Sequence, residues 1–122
     1  MKTVLVVDDS PMIRRIAKKI LEELNFKTGE AEDGQKALAA VNDSMPDAIL
    51  LDWNMPVMTG IDFLRRLRAE PEGEAPVVVF CTVENDLAHI REALDAGANE
   101  YIMKPFDGDI IAAKLDLAGL LT

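Results

Sequence analysis

The stretch "VLVVDDSP", Val4 to Pro11, carries the first decision about the fold. Four apolar residues run directly into two adjacent carboxylates, Asp8 and Asp9. Ser10 then offers a side-chain oxygen to cap a helix, and Pro11 suits a first helical position. An unbroken apolar run, rather than an alternating one, is the pattern of a strand covered on both faces. The reading is therefore a buried strand, a two-carboxylate turn and a helix.

The same unit repeats along the chain. After "TVLVV" (Thr3 to Val7), "MIRRIAKKILEEL" puts Ile13, Ile16, Ala17, Ile20, Leu21 and Leu24 at helical spacing, with a basic opposite face. "FKTGEAE" is a weak, polar strand that suits a sheet edge, followed by a helix capped at Asp33 with Ala37, Leu38 and Val41 inward. "DAILLD" is a third strand. "NMPVMTG" is a loop ending in a possible cap, Thr59, before a helix through Ile61, Leu64 and Leu67. "VVVFCT" is a fourth strand, and Asn85 or Asp86 opens a helix that Gly97 stops. "EYIM" is the fifth, and the last helix turns Ile110, Ile111, Leu115 and Leu117 or Ala118 inward. Five βα units predict an α/β fold: one five-stranded parallel sheet with helices on both faces.

The composition narrows the function. With 122 residues a single domain, 1–122, is expected. Lys and Arg number 13 against 22 Asp and Glu, a formal charge of −9, which disfavours direct nucleic-acid binding. No apolar run approaches a membrane span or a signal peptide, and one cysteine, Cys81, forms no internal disulfide. A cytoplasmic, monomeric protein is the expectation.

In parallel α/β sheets, ligands sit outside the carboxyl ends of the strands. Collected there are Asp8 and Asp9 after the first strand, Asp52 at the end of the third, Thr82 at the end of the fourth and Lys104 after the fifth. Taken singly each is ordinary: an acidic helix entrance, a strand-end carboxylate, a β-forming Thr, a surface Lys. Together they are a chemical site. Carboxylates about 5 Å apart repel by roughly 3 kcal/mol per pair at an effective dielectric of 20, so a proton, Lys104 or a bound cation must offset the charge. All-oxygen ligation with few protein ligands favours Mg²⁺. Mg²⁺ is a partner for phosphoryl transfer, Asp52 is a candidate acceptor, and Thr82 and Lys104 can hold the remaining phosphoryl oxygens.

At this point the motifs "VVDDS", "LLDWNMPVMTG", "FCT" and "IMKPF" resemble the receiver domain of two-component response regulators, in its single-domain CheY-like form. The resemblance covers essentially the whole chain. It implies a flavodoxin-like (βα)5 fold with strand order 2-1-3-4-5. It implies phosphorylation of Asp52 by a histidine kinase or histidine phosphotransfer protein, in a protein that assists its own phosphorylation and dephosphorylation without being an enzyme in the usual sense. Asp9 and Asp52 would bind Mg²⁺ directly with the backbone carbonyl of Asn54, and Asp8 would act through a water. Thr82 and Tyr101 would be the switch pair, and Lys104 would precede a cis Pro105. The helix bearing Arg14, Arg15 and Lys18 would dock the phosphodonor, and phosphorylation could bring dimerisation. Asn54 and Glu84 are the polar side chains able to reach the water that hydrolyses the phosphoaspartate, with Val83 crowding its approach.

Three rivals remain. A phosphohydrolase of haloacid dehalogenase type needs an acid–base Asp two residues after the nucleophile; this chain has Asn54, which cannot fill that role. A flavodoxin-like carrier needs an anion-welcoming loop after the first strand, where this chain has Asp8-Asp9. A receiver-like module that only binds partners is disfavoured by the intact set. Elsewhere, Lys18 and Lys19 can pair with Glu22 and Glu23 along the helix. Cys81 reads as a small core residue, His89 as a helix-surface residue, Trp53 as partly packed, and the methionines as core and loop filler.

Overall fold

A computed structural model describes residues 2–53, 55–82, 87–104 and 106–120. The elements alternate without exception: β1 (Thr3–Val7), α1 (Pro11–Glu23), β2 (Lys27–Ala31), α2 (Gly34–Asp43), β3 (Ala48–Asp52), α3 (Gly60–Ala69), β4 (Val77–Thr82), α4 (Leu87–Asp95), β5 (Glu100–Met103) and α5 (Gly108–Leu117). The strands form one parallel sheet in the order β2-β1-β3-β4-β5. The polar β2 is an edge strand, as its composition predicts.

Side chains of a strand alternate between faces, and here both faces are apolar. Leu5, Val7, Ile49, Leu51, Val78 and Phe80 meet α2, α3 and α4. Val4, Val6, Ala48, Leu50, Val79 and Cys81 meet α1 and α5 through Ala17, Leu21, Ile111 and Leu115. This double burial is why the strands read as unbroken apolar runs.

Local chemistry sets the helix starts. Ser10, Asp33, Thr59 and Asp107 each cap a helix by accepting a backbone N–H three residues on. Gly97, at φ +116°, follows α4 in a conformation that a side chain would strain. The expected opening of α4 at Asn85 or Asp86 lies outside the described residues.

Four packing expectations, those for Ile16, Ile110, Met12 and His89, are corrected. Ile16 is 42% exposed and Ile110 39%; of the alternatives Leu117 and Ala118, Leu117 is 73% exposed and Ala118 is the half-buried one. In α5 the inward stripe is Ile111 and Leu115, so Ile110 and Leu117 flank it rather than form it. Met12, which the sequence suggests as core or loop filler, is 67% exposed on the first turn of α1. His89 does not lie on the helix surface. It is half-buried, with its ring edge-on to Trp53 at 4.9 Å between centroids.

The end of the sheet opposite the carboxylates is closed by a residue with no sequence signal. Arg68 of α3 donates to the carbonyls of Gly73, Pro76 and Gly97 and to the Asn99 side chain. One guanidinium thereby satisfies the loops that lead into β4 and β5.

Candidate functional site

Backbone bonds tie the carboxyl ends of neighbouring strands, β1 to β2, β3 to β4 and β5 to β4, before any side chain is considered. Asp8 N–H donates to the Ala31 carbonyl, Trp53 N–H to that of Cys81, and Lys104 N–H to that of Thr82. The last bond draws the chain after β5 onto the end of β4 and aims Lys104 across the rim. Gly60, the last residue of "NMPVMTG", closes the loop after Asp52. Its N–H donates to the Trp53 carbonyl, and a Cβ there would stand 2.2 Å from the Asp52 carbonyl oxygen. Only glycine permits that approach.

The sequence expectation that five side chains meet is met for Asp8, Asp9, Asp52 and Lys104 by direct geometry. Each of the three carboxylates offers an oxygen within 4.8 Å of the others. The Lys104 ammonium donates to Asp8 Oδ2 at 2.8 Å and to Asp52 Oδ1 at 2.9 Å. Asp8 Oδ1 also accepts the Ser10 N–H at 2.9 Å. Asp9, by contrast, is exposed, and among the described residues its carboxylate has no hydrogen-bond or ion-pair partner. Thr82 is buried at the end of β4.

The electrostatics are unbalanced. Burial pushes the Asp52 carboxyl above its ordinary range; Lys104 opposes this, and the Asp8 and Asp9 charges add to it. The floor of the site explains the burial cost, since Val6, Ile13, Leu50, Cys81 and Phe106 line the space beneath Asp8 and Asp52. Burial alone would lower the Lys104 pKa, but its bonds to Asp8 and Asp52 outweigh this and hold it raised. One ammonium against three carboxylates leaves net negative charge in an oxygen-only donor set. That set fits a small hard cation such as Mg²⁺. Cys81 is no competitor for a metal: burial pushes its thiol up to about 12.

Behind Thr82 lies a small apolar pocket of about 10 Å³ whose walls include Trp53, Phe80, His89, Ala93 and Tyr101. Tyr101 is half-buried, with the Lys114 ammonium 5.0 Å above its ring; Lys114 is itself tied to Glu100 at 2.9 Å. Thr82 and Tyr101 therefore share one pocket.

The three cations expected to meet a partner are not alike. Arg14 is turned inward, its side chain 13% exposed, with Nε on Glu30 at 2.7 Å and Nη1 on the Asp8 carbonyl at 2.7 Å. Lys18 bonds the other Glu30 oxygen at 2.7 Å rather than Glu22, which accepts from Thr28 instead. Of the three, only Arg15 is exposed. Glu30 was not singled out by sequence. The available signal was an acidic residue one place before the end of a polar strand. The residues Asn54, Val83, Glu84 and Pro105 lie outside the described set. So do the expectations attached to them.

A further sequence-silent feature is Val57, a β-branched residue at φ +72° and 76% exposed. Met58 N–H donates to the Pro56 carbonyl at 2.7 Å across it. This is a γ-turn with positive φ, a strained form.

The family model described as the response regulator receiver domain matches residues 4–116. The chemotaxis protein CheY of Pseudomonas aeruginosa is 41% identical over 114 residues, covering 93% of this chain and 92% of that protein. CheY-3 of Vibrio cholerae is 43% identical over 114 residues, covering 93% and 88%. Among solved structures, the chemotaxis response regulator CheY4 of Vibrio cholerae is similar with a TM-score of 0.91 at 32% identity, over 96% of this chain and 98% of that one.

Proposed function

The chain belongs to the response regulator receiver domain family, and we propose that within it the protein is a chemotaxis-type regulator whose Asp52 accepts a phosphoryl group from a phosphohistidine. The donor is a histidine kinase or histidine phosphotransfer protein. The observation that carries this reading is the Lys104 ammonium shared between Asp8 and Asp52, with the Asp9 carboxylate unpartnered beside them.

In the transfer, an Asp52 carboxylate oxygen attacks phosphorus in line, the phosphorus–nitrogen bond of the donor breaks, and the imidazole leaves with the electron pair. Asp52 Oδ1 is held by Lys104, and among the described residues Oδ2 has no partner, so one oxygen is free to attack. Asp9 and Asp52, with the Asn54 carbonyl, would hold Mg²⁺, and Asp8 would act through a water; bound there, the ion neutralises charge on the transferring group. Lys104 and the Thr82 hydroxyl then bind phosphoryl oxygens, and Thr82 moving toward them leaves room for Tyr101 in the pocket they share. This is a population shift between two packings, and its extent is limited by the contacts that differ between them. Asn54 and Glu84 orient the water that ends the signal.

No described helix is long and apolar enough to cross a membrane, and the site of action proposed is the cytoplasm. The test is incubation with a small phosphoramidate or acyl phosphate, read by intact mass. One phosphoryl group should be added with Mg²⁺ and none in EDTA, and Asp52→Asn should remain unlabelled. Equal labelling of the wild type and Asp52→Asn would overturn the assignment.

A further inference from the structure

Asp8 is held at every polar atom of its residue. Its N–H donates to Ala31, its Oδ1 accepts from Ser10, and its Oδ2 accepts from Lys104. The fourth hold, on its carbonyl, comes from Arg14. The guanidinium is planar and presents donors in a fixed fork. Here the fork has one arm on the Asp8 carbonyl and one on Glu30 of β2. Lys18 takes the second Glu30 oxygen, so the carboxylate is braced from both sides. The Asp8 carbonyl begins the peptide to Asp9, the one carboxylate of the cluster with no partner of its own among the described residues.

From this juxtaposition we infer that Arg14, braced by Glu30, is a positioning residue for the cation seat: it fixes the Asp8–Asp9 peptide so that the free Asp9 carboxylate faces Asp52. The inference rests on the proposed Mg²⁺ site and adds to it a pair of residues outside the ligand set. Groups that hold ligands in orientation contribute measurably to metal affinity.

The sign of one substitution separates this from simple electrostatics. Arg14 carries a positive charge near the seat. If only charge mattered, Arg14→Ala would tighten Mg²⁺ binding. If Arg14 positions the Asp8–Asp9 peptide, Arg14→Ala weakens it, by about tenfold. Glu30→Ala weakens binding under either account. Combined with Arg14→Ala it should add little further loss, because the two residues act as one unit. Lys19→Ala removes a positive charge from the exposed face of the same helix without touching the fork or Glu30, and should bind as wild type does. Arg14→Lys, which has a point charge and no fork, should fall between wild type and Arg14→Ala.

The experiment is a Mg²⁺ titration of the full chain, read by fluorescence of Trp53, the one tryptophan and the neighbour of Asp52. Urea midpoints in EDTA are measured in parallel, and Arg14→Gln replaces Arg14→Ala if the latter does not fold. Weaker Mg²⁺ binding by Arg14→Ala, with Lys19→Ala unchanged, supports the inference. Unchanged or tighter binding by Arg14→Ala overturns it, whatever the urea midpoint does. A wild type that shows no saturable Mg²⁺ response would instead overturn the proposed cation seat, a separate result.

Discussion

Replacing Asp52 by Asn should stabilise the protein when no divalent cation is present. Asp52 is 7% exposed and lies within 4.8 Å of both Asp8 and Asp9. At an effective dielectric of 20, those two repulsions total roughly 7 kcal/mol, and the attraction to Lys104 across 2.9 Å returns roughly 6. The near-cancellation leaves the desolvation of the carboxylate uncompensated, so the neutral amide should gain about 1–3 kcal/mol after screening and relaxation. The direction agrees with the raised Asp52 pKa, whose largest cause is burial. An acid with a raised folded pKa binds its proton more tightly in the native state. The cost of its charge is therefore absent below the unfolded pKa and complete above the folded one. The advantage of Asp52→Asn should be full above the raised folded value and fade as pH falls through it. Urea unfolding followed by far-ultraviolet circular dichroism, in EDTA, measures it. Adding Mg²⁺ at 100 times its dissociation constant should stabilise the wild type by about 2.7 kcal/mol, and the variant by less, narrowing or reversing the order. An Asp52→Asn protein that is less stable than wild type in EDTA at neutral pH, with an equal denaturant slope, would refute the charge-frustration argument.

Three further outcomes follow from particular contacts. Val57→Gly should raise stability by about 1 kcal/mol, because the γ-turn at φ +72° strains a β-branched residue and not glycine; a lower melting temperature would contradict this. Gly60→Ala should cost more than about 3 kcal/mol and slow labelling of Asp52, since the new Cβ meets the Asp52 carbonyl oxygen at 2.2 Å; urea unfolding and intact-mass kinetics read the two effects. Arg68→Ala should cost about 2–4 kcal/mol by stranding the carbonyls of Gly73, Pro76 and Gly97. It should leave Mg²⁺ affinity unchanged, because that residue sits at the far end of the sheet; calorimetry and the Trp53 titration check both.

What the sequence by itself determined is what short-range chemistry specifies. Ser10, Asp33 and Thr59 act on backbone groups three residues away, so the caps they form could be read without a partner elsewhere in the chain. The unbroken apolar runs of β1, β3 and β4 reflect burial on two faces, and a parallel sheet then brings the residues after each strand to one rim. That is why the sequence pattern alone gathers Asp8, Asp9, Asp52, Thr82 and Lys104 at one rim. The tertiary structure decided everything that depends on which long side chain reaches which distant neighbour. Arg14 and Arg15 are adjacent in sequence and identical in chemistry, yet the first spans from α1 to Glu30 and the Asp8 carbonyl while the second stays in solvent. Ile110 and Ile111 divide in the same way between surface and core. His89 turns from its helix toward Trp53, and Arg68 closes loops that lie up to 31 residues further along the chain. A helix turns 100° per residue, so single positions at the edge of its apolar stripe face core or water according to the exact docking angle. That angle is a property of the packed whole, and no window of the sequence contains it.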